Sequence, residues 1–292
     1  MPSHFLTGAE LNANELRGLL DRALELKAGR PAGEGGKALA GKTVALFFER
    51  PSTRTRVSFQ VGVTELGGSA LPLRADELQL GRGESVADTA RVLSRYLHAI
   101  VIRSGSHETV EELARYADVP VVNALTPQHH PCQALADLMT LRERFGDLEG
   151  LRLAYVGDGN NVARSLGVVG RAAGVEVVVA APEGYRLEDG LVAQTADPLE
   201  AAAGADALYT DVWVSMGDEE DADRRRADLA PFQLRAELMD AAADRAIALH
   251  CLPAHPGEEI TEDVLYGERS AVFDQAENRL HAQKALLELL LG

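Results

Sequence analysis

The chain has 292 residues, enough for two domains with separate cores, and its 46% hydrophobic and 25% charged residues are typical of a globular protein. The formal net charge of −16 argues against a general nucleic-acid binder, and no apolar run reaches the roughly 18 to 20 residues of a membrane span. The first ten residues lack the basic start and apolar stretch of a secretory signal, so we expect a cytoplasmic protein. Cys132 and Cys251 lie far apart, which argues against a disulfide framework or a thiolate metal site.

Short apolar strands alternate with helices along the first half. The first helix is predicted to begin after Asn12, which can cap it together with Glu15 three residues later. A loop containing Gly and Pro, Gly29–Gly41, ends it. The predicted strands that follow are Thr43–Phe48, Ser69–Leu73, Ala99–Arg103 and Val121–Asn123, and the predicted helices are Thr53–Leu66, Ser85–Tyr96 and Glu108–Tyr116.

A longer helix, Pro131–Phe145, is predicted to link this half to a second one of the same kind. Its strands are apolar along their whole length, which indicates parallel sheets covered on both faces. The charged run Asp218–Asp228 is interpreted as a solvated loop, and a leucine-rich helix, Gln275–Leu291, ends the chain. The predicted strands of this half are Leu153–Val156, Val175–Ala180, Ala207–Asp211 and Ala246–His250.

The string FERPSTRTRVSF, Phe48–Phe59, lies where a strand ends and a helix begins. Free backbone N–H groups and the positive end of the helix dipole favour an anion there. Hydroxyl groups and the fork of Arg54 add charge-assisted hydrogen bonds suited to phosphate. A plain Ser/Thr cap would explain one hydroxyl only, so the string favours a phosphate site.

Two further strings follow a strand or begin a helix. HHPCQALADL, His129–Leu138, places Pro131 in the first turn of a helix. His130 and Gln133 are therefore expected to point toward whatever lies at the N-terminus of that helix. GDGNNVARSL, Gly157–Leu166, allows a dinucleotide fingerprint as an alternative. Its third glycine position holds Val162, and the next strand ends without an acidic residue for a ribose, so a nicotinamide site is disfavoured.

The last two strings lie at strand ends, where open α/β sheets bind ligands. In DVWVSMG, Asp211–Gly217, the aspartate can pair with an ammonium group, although a strand-end loop with a packed tryptophan is equally consistent. HCLPAHPGEEI, His250–Ile260, suggests a cysteine nucleophile activated by the adjacent histidine. Adjacent strand residues point to opposite faces, which argues against that pair.

The five strings together resemble the aspartate and ornithine carbamoyltransferase family, in family order and over nearly the whole chain. The resemblance implies an α/β enzyme without cofactor or metal, built from two doubly wound parallel-sheet domains with the active site between them. Residues 1–130 with the returning helix 275–292 would bind carbamoyl phosphate, 131–144 would link the domains, and 145–270 would bind ornithine. Ser-Met-Gly favours ornithine over putrescine or acetylornithine, and His-Cys-Leu-Pro disfavours aspartate.

The resemblance also implies a role for each matched position. The carbamoyl-phosphate ligands would be Ser52, Thr53, Arg54, Thr55, Gln79, Arg103, His130, Gln133, Cys251, Leu252 and Arg279. The ornithine ligands would be Asn161 (rather than Asn160), Asp211, Ser215 and Met216. The catalytic set would be Arg54, Arg103, His130, Gln133, Asp211, Cys251 and Arg279, with the Asp211–Cys251 pair favouring the deprotonated amine.

Small-molecule substrates are thus the expected partners, together with further copies of the chain and neither nucleic acid nor membrane. The family's assembly implies a homotrimer, or a multiple of trimers, in which the loop Asp76–Ser85 carries Gln79 into a neighbour's site. The chain departs from the family at Thr126-Pro127-Gln128, where an acidic residue is expected after the threonine. His129 has no counterpart and is interpreted as a bystander.

Overall fold

The structure is a computed structural model that describes residues 3–33, 36–50, 52–74, 83–214 and 219–292. The chain divides into two compact units, the first formed by Met1–Met139 with Asn278–Gly292 and the second by Thr140–Glu277. The described residues include no helix that is long and apolar enough to cross a membrane.

The first unit is built on a four-stranded parallel sheet with the order β2-β1-β3-β4. Its strands are β1 Thr43–Phe48, β2 Ser69–Arg74, β3 Ala99–Arg103 and β4 Val121–Leu125. Its helices are α1 Ala13–Gly29, α2 Thr53–Glu65, α3 Val86–Leu93 and α4 His107–Tyr116, with the first part of α5 Pro131–Phe145 and most of α11 Val272–Leu291.

The second unit has a five-stranded parallel sheet with the order β7-β6-β5-β8-β9. Its strands are β5 Arg152–Val156, β6 Glu176–Ala180, β7 Ala193–Thr195, β8 Ala207–Thr210 and β9 Ile247–His250. Its helices include α6 Asn161–Ala173, α7 Pro198–Ala202, α8 Ala222–Leu229, α9 Ala236–Ala241 and α10 Glu262–Leu265. The expected pair of parallel-sheet α/β domains is therefore confirmed.

Strand direction decides where functional side chains can gather. In a parallel sheet every carboxyl end lies at one edge, which is the edge where α/β proteins bind ligands. In the first unit this edge carries Arg103 at the end of β3 and the turn from β1 into α2. In the second unit it carries the turn after β5 and the residues after β8 and β9.

The last helix is fixed within the first unit by polar contacts as well as packing. Arg22 of α1 pairs with Glu288 at 2.7 Å, and Lys27 Nζ donates to the Asn278 side chain at 2.8 Å. Lys284 is fully buried and pairs with Glu65 of α2 at 2.8 Å. The predicted return of the C-terminal helix to the first domain is confirmed.

Some predicted boundaries were wrong. The helix expected at Ser85–Tyr96 covers only Val86–Leu93, because Ser85 caps its start and the Ser94 hydroxyl bonds the Ala90 carbonyl at 2.7 Å near its end. The last helix begins at Val272, three residues before its predicted start. Strand β7 was not predicted, since this three-residue edge strand has no apolar run.

The interpretation of Asp218–Asp228 as a solvated loop was also wrong. Residues Ala222–Leu229 form α8, in which Asp223 and Arg226 pair three residues apart. Arginine and alanine favour a helix, and charge pairs at this spacing support a helix even when nearly all its faces are polar.

Candidate active site

The first turn of α2 holds the Ser-Thr-Arg-Thr-Arg string. Ser52 is its N-cap residue, but among the described residues its side chain accepts no hydrogen bond from the helix. The caps Asn12, Ser85 and Ser106 each accept at least one backbone N–H of their own helix. The plain-cap interpretation of this string therefore does not hold, and its hydroxyl groups are better explained by an anion site.

Three guanidinium groups lie close enough to Arg103 in this unit to affect it. Burial lowers the pKa of Arg103, and the charges of Arg50, Arg279 and Arg54 lower it further. The Nε atom of Arg103 has no hydrogen-bond partner among the described residues. An anion between these like charges would relieve their repulsion, so the cluster is suited to phosphate.

A buried polar chain connects α11, α2 and α5 within the same unit. Arg279 is 2% exposed and donates to the Thr55 hydroxyl and to the Gln133 side-chain oxygen. Gln133 in turn donates to Asp137 at 2.8 Å. With its oxygen accepting from one partner and its nitrogen donating to another, the Gln133 amide has a defined orientation.

His130 lies beside this chain and is 5% exposed. Burial lowers its pKa well below 6.5, and the charges of Arg279 and Arg103 act in the same direction. The imidazole is therefore neutral at physiological pH, and it can donate one N–H without adding charge.

The turn before α5 explains the position of His129. Thr126 closes the turn, because its N–H donates to the His129 carbonyl at 2.8 Å and its hydroxyl accepts the His129 N–H at 3.2 Å. The His129 ring lies 5.0 Å from the ring of His107. These contacts give His129 a packing role in the turn before α5.

The second unit has its own polar group at the carboxyl ends of β5, β8 and β9. Asp211, 7% exposed, follows β8 and accepts from the Cys251 thiol at 2.8 Å and from the Asn160 side chain at 2.8 Å. Asn161 begins α6 and is half-buried. Asp211, Cys251 and Asn160 thus form one hydrogen-bonded group, whereas sequence reasoning gave Asn160 no part in it.

The two glycines of the turn after β5 serve the packing of the chain. Gly157 has φ of 130°, a conformation that L side chains rarely adopt. At Gly159 a Cβ atom would lie 2.7 Å from the Tyr185 carbonyl oxygen, which accepts the Gly159 N–H. Close approach of two backbone segments therefore accounts for the Gly-x-Gly pattern, which further weakens the dinucleotide alternative.

The adjacent side chains of His250 and Cys251, at the end of β9, bond to different partners. The His250 Nδ1 atom accepts the Leu252 N–H at 2.8 Å, and its Nε2 atom lies 3.0 Å from Glu259. Burial alone would raise the pKa of Glu259, but hydrogen bonds from His250 and the His255 N–H outweigh it and lower the pKa. The histidine thus bonds Glu259 and the thiol bonds Asp211, as the argument against an activated cysteine nucleophile expects.

These contacts also fix Leu252, whose carbonyl the family resemblance assigns to the carbamoyl group. Leu252 has φ of 58°, in the left-handed region that favours glycine. Its N–H is held by His250, which is itself held by the fully buried Glu259. The network therefore stabilises a backbone conformation that a leucine would otherwise avoid.

Arg225 of α8 was missed by sequence reasoning. Its Nε donates to the Trp213 carbonyl at 2.6 Å, and its guanidinium group pairs with Asp158 and lies over the Tyr185 ring. It therefore ties the segment after β8 to the turn after β5. Because Arg225 lies in the charged run Asp218–Asp228, it was interpreted as a solvated residue and its contacts were not predicted.

Within the part of the chain that the structure describes, two groups of side chains have ligand atoms within 4.8 Å of one another. They are Asp211, His250 and Cys251, and His255, Glu258 and Glu259. In the first group both ring nitrogens of His250 are engaged, with Leu252 and Glu259. In the second group Glu258 pairs with Arg226 at 3.1 Å. Hydrogen bonds and ion pairs account for both arrangements, so we assign neither to a metal.

Three predicted site residues, Gln79, Ser215 and Met216, lie outside the described residues. The remaining ones fall into two groups. In the first unit the hydrogen bonds and charge interactions given above connect Arg54, Thr55, Arg103, His130, Gln133 and Arg279. Ser52 and Thr53 lie at the start of α2. In the second unit Asp211 and Cys251 are bonded, and Asn161 and Leu252 each lie next to a member of that network.

Comparison with protein families matches both units to one family. Residues 3–143 match the aspartate/ornithine carbamoyltransferase carbamoyl-P binding domain, and residues 149–290 match the Asp/Orn binding domain of the same family. Because these matches cover nearly the whole chain, it belongs to the aspartate/ornithine carbamoyltransferase family. The family expected from the motifs is confirmed.

Individual relatives agree in sequence and in fold. An ornithine carbamoyltransferase of Acidothermus cellulolyticus is 56% identical over 306 aligned positions, which cover 100% of this chain and 97% of the relative. The crystal structure of ornithine carbamoyltransferase from Thermus thermophilus is 48% identical with a TM-score of 0.93, and both chains are covered completely. The Pyrococcus furiosus enzyme is also 48% identical, with a TM-score of 0.95 over 100% of this chain and 98% of that one.

Proposed function

We propose that the protein transfers the carbamoyl group of carbamoyl phosphate to the side-chain amine of L-ornithine, giving L-citrulline and phosphate. The observation that carries the proposal is the cluster of Arg50, Arg54, Arg103 and Arg279 around the start of α2, next to a neutral buried imidazole. An anionic donor with a polar carbonyl suits this combination. The names of the relatives support ornithine as the acceptor.

The donor would be held by residues of the first unit, about 1–130 with the helix 275–292. Ser52, Thr53, Arg54 and Thr55 would bind the phosphate through hydroxyl groups, a guanidinium group and the helix N-terminus. The carbamoyl oxygen gains negative charge as the amine attacks, and Arg103, Thr55 and His130 would donate to it. Arg279 would align the Thr55 hydroxyl and Gln133, through the hydrogen bonds described above.

The acceptor would be held by residues of about 145–270. Asn161, Asp211, Ser215 and Met216 would bind the amino-acid end of ornithine, and Asp211 with Cys251 would also favour the deprotonated form of its side-chain amine. A free primary amine of this kind has a pKa of about 10.4 and must lose a proton to attack. The amine nitrogen then bonds to the carbamoyl carbon and loses a second proton, the bond from that carbon to the phosphate oxygen breaks, and phosphate leaves carrying that proton.

Gln133 and the Leu252 carbonyl would orient the carbamoyl NH2 during this step. The amide can accept an N–H on the oxygen that Arg279 also approaches, because a carbonyl oxygen has two lone pairs. Leu252 has a positive φ, and its N–H donates to His250, so the backbone conformation at this residue is held. This supports a fixed direction for its carbonyl group. Cys251 would line the side-chain pocket as a hydrogen-bond donor and not as a nucleophile.

A citrulline assay tests the proposal. Purified protein is supplied with carbamoyl phosphate and, in parallel reactions, ornithine, putrescine or N-acetylornithine, and the carbamoylated product is measured. Citrulline formation well above the products of the other two amines is the expected result. Preference for putrescine or acetylornithine would reassign the acceptor, and NADH binding without carbamoyl transfer would favour a nucleotide-dependent enzyme.

The proposal extends to assembly and setting. By analogy with its family the protein would form a homotrimer, and would act in arginine metabolism in the cytoplasm. Val57 of α2 and Leu71 of β2 are large apolar side chains with 49% and 42% exposure, which supports further burial in an assembly. Cys132 and Cys251 are both free thiols, which supports a reducing compartment.

A further inference from the structure

Asn160 makes four hydrogen bonds at the candidate acceptor site. Its side-chain Oδ1 accepts from the Val162 and Ala163 N–H groups at 2.9 and 3.2 Å, which caps α6, and from the Tyr155 hydroxyl at 3.1 Å. Its Nδ2 donates to Asp211 Oδ2 at 2.8 Å. One amide therefore connects the start of a helix to the carboxylate proposed to face the amine.

The orientation of this amide is determined by its partners. Three donors converge on Oδ1, so this position cannot be the NH2 group, and the nitrogen must face Asp211. The Tyr155 hydroxyl remains a donor, because burial raises its pKa well above 10 and the charges of Asp211, Cys251 and Asp158 add to this. Tyr155 itself is fully buried and stacks on Tyr209 with ring centroids 5.3 Å apart.

The Asp211 carboxylate is thus held at both oxygens. Cys251 donates to Oδ1 and Asn160 donates to Oδ2, each at 2.8 Å. A carboxylate with two such donors has one rotamer, and each oxygen keeps a lone pair for a further donor. An incoming amine would meet an acceptor that is already oriented.

We propose that Asn160 is a positioning residue for carbamoyl transfer, which aims the Asp211 carboxylate at the substrate amine so that a carboxylate oxygen can accept the proton that the amine loses. The inference rests on the proposed function. It assigns Asn160 no contact with substrate, in contrast to Asn161. Tyr155 would act one step further away, by keeping the Asn160 amide from rotating.

The other titratable groups near Asp211 belong to three elements. His250 ends β9 and Cys251 follows it, and His250 is already bonded to Leu252 and Glu259. Tyr155 lies in β5, and Asp158 in the turn after β5 is paired with Arg225. Replacing Asn160 leaves all these groups in place, so a changed pH profile would report on the Asp211 contact.

Asn160→Ser is the informative substitution, because serine still caps a helix but is too short to replace the amide donor. Asn12→Ser is its matched control, since the Asn12 side chain also accepts two backbone N–H groups, those of Asn14 and Glu15, at the start of α1. Asn160→Ser should lose more stability by thermal unfolding than Asn12→Ser, because it also removes the hydrogen bonds to Tyr155 and Asp211. Asn12→Ser should keep wild-type turnover of carbamoyl phosphate and ornithine.

For Asn160→Ser we expect kcat at pH 7.5 to fall about 10- to 100-fold, as for loss of a hydrogen bond to a charged group, with an unchanged KM for carbamoyl phosphate. The deficit should shrink toward pH 9.5, because more of the free amine is then deprotonated by the solvent. Asn161→Ser should instead raise the KM for ornithine at every pH. Tyr155→Phe should lower kcat less than Asn160→Ser does.

Asn160→Asp provides a second variant that keeps the cap and the shape. It places two carboxylates in contact, so its deficit should persist or grow as pH rises. Wild-type kcat in Asn160→Ser, or a deficit in both variants that is independent of pH and follows the loss of stability, would overturn the positioning role. Absence of citrulline from the wild-type protein would contradict the proposed function itself.

Discussion

Arg54 is an exposed residue in the first turn of α2, and its charge contributes to the electrostatic environment of Arg103. Replacing it with alanine removes one cation from the proposed phosphate site. We expect Arg54→Ala to lower kcat/KM by about 100- to 1000-fold, as for loss of one donor to developing charge. The unfolding free energy should change by less than about 0.5 kcal/mol, as for surface substitutions away from packed features.

The measurement is steady-state citrulline formation with carbamoyl phosphate as the varied substrate. Arg17→Ala provides a control, because Arg17 is an exposed arginine in α1, away from the cluster. Near-normal kcat/KM in Arg54→Ala would contradict the assignment of the string Phe48–Phe59 to the phosphate site.

His130 gives the stability of the protein a defined pH dependence. The native imidazole is neutral because burial and two arginines lower its pKa, whereas in the unfolded chain it titrates near 6.5. Below that pH the unfolded state binds a proton that the native state does not, so the unfolding free energy falls as pH falls. Above it both states are neutral, and His130 contributes no slope.

His130→Asn should therefore flatten the acid side of the stability curve. Between the unfolded-state pKa and the lowered native pKa, the slope should decrease by up to about 1.4 kcal/mol per pH unit, the value for one proton. Urea denaturation at several pH values between 5 and 8 measures this. Curves that stay parallel below pH 6.5 would show that the native imidazole does bind the proton.

Sequence reasoning found the residue types of the site better than their contacts. Ser52 to Thr55 lie in a string whose neighbouring residues already indicate a phosphate site, whereas Arg103, His130 and Gln133 received their roles from the family resemblance. Asn160 and Arg225 act on partners 51 and 12 residues away, Asp211 and Trp213, and only the fold brings these together. From the sequence alone, Asn160 could not be distinguished from a plain helix cap, nor Arg225 from a solvated arginine.

The same distinction holds for elements. Apolar strands such as Ala99–Arg103 and Thr43–Phe48 were predicted with their observed bounds, because burial on both faces leaves a continuous apolar run. Strand β7 has one neighbour and partly exposed side chains, and α8 is nearly all polar, so neither carries that signal. Pairing with β6 decides β7 and is set by the fold, whereas helix-favouring residues and the Asp223–Arg226 pair support α8 without leaving an apolar pattern.

The contact between α11 and α2 yields an element-level prediction. Lys284 is fully buried, and Glu65 at the end of α2 is its ion-pair partner, with Arg30 also bonded to Glu65 at 3.0 Å. Glu65→Gln would leave a buried ammonium group without its counter-charge and should cost about 3 kcal/mol of unfolding free energy. Lys284→Met, which keeps the volume without the charge, should be neutral or stabilising.

Chemical denaturation of both variants and of the double variant measures this difference. The exposed pair of Arg22 and Glu25 is the control, because Glu25→Gln should cost at most about 1 kcal/mol. An equal loss in Glu65→Gln and Lys284→Met would mean that packing of the lysine stem, and not its charge, holds α11 in place.

At the scale of the whole molecule, the net charge of −16 contrasts with the arginine cluster of the first unit. A local positive site in an acidic protein attracts a small anion while the remaining surface repels polyanions. Only the positions of the charges, and not their sum, are informative about substrate. The net charge argues against nucleic acid as a general partner class, but it gave no sign of the proposed phosphate site.

The proposed trimer leads to the last prediction. The family resemblance implies that the loop Asp76–Ser85 would reach a neighbouring site, where Gln79, which lies outside the described residues, would meet the phosphate. Gln79→Ala and Arg54→Ala should each be poorly active alone. In an equal mixture of reassembled trimers, a site with intact Arg54 meets a neighbour with intact Gln79 in about a quarter of cases, since each requirement is met half the time.

Citrulline formation in the mixture should therefore rise toward a quarter of the wild-type rate, after dissociation, mixing and verification of mixed trimers by mass. Mixing without dissociation supplies the baseline, and the double variant Arg54→Ala with Gln79→Ala, reassembled with the wild type, tests the same geometry from the other side. With the double variant, a site is fully intact only where the subunit that provides Arg54 and the subunit that provides Gln79 are both wild type, which is again about a quarter of sites. Failure of verified mixed trimers to regain activity would place Gln79 within its own chain's site, or outside the site altogether.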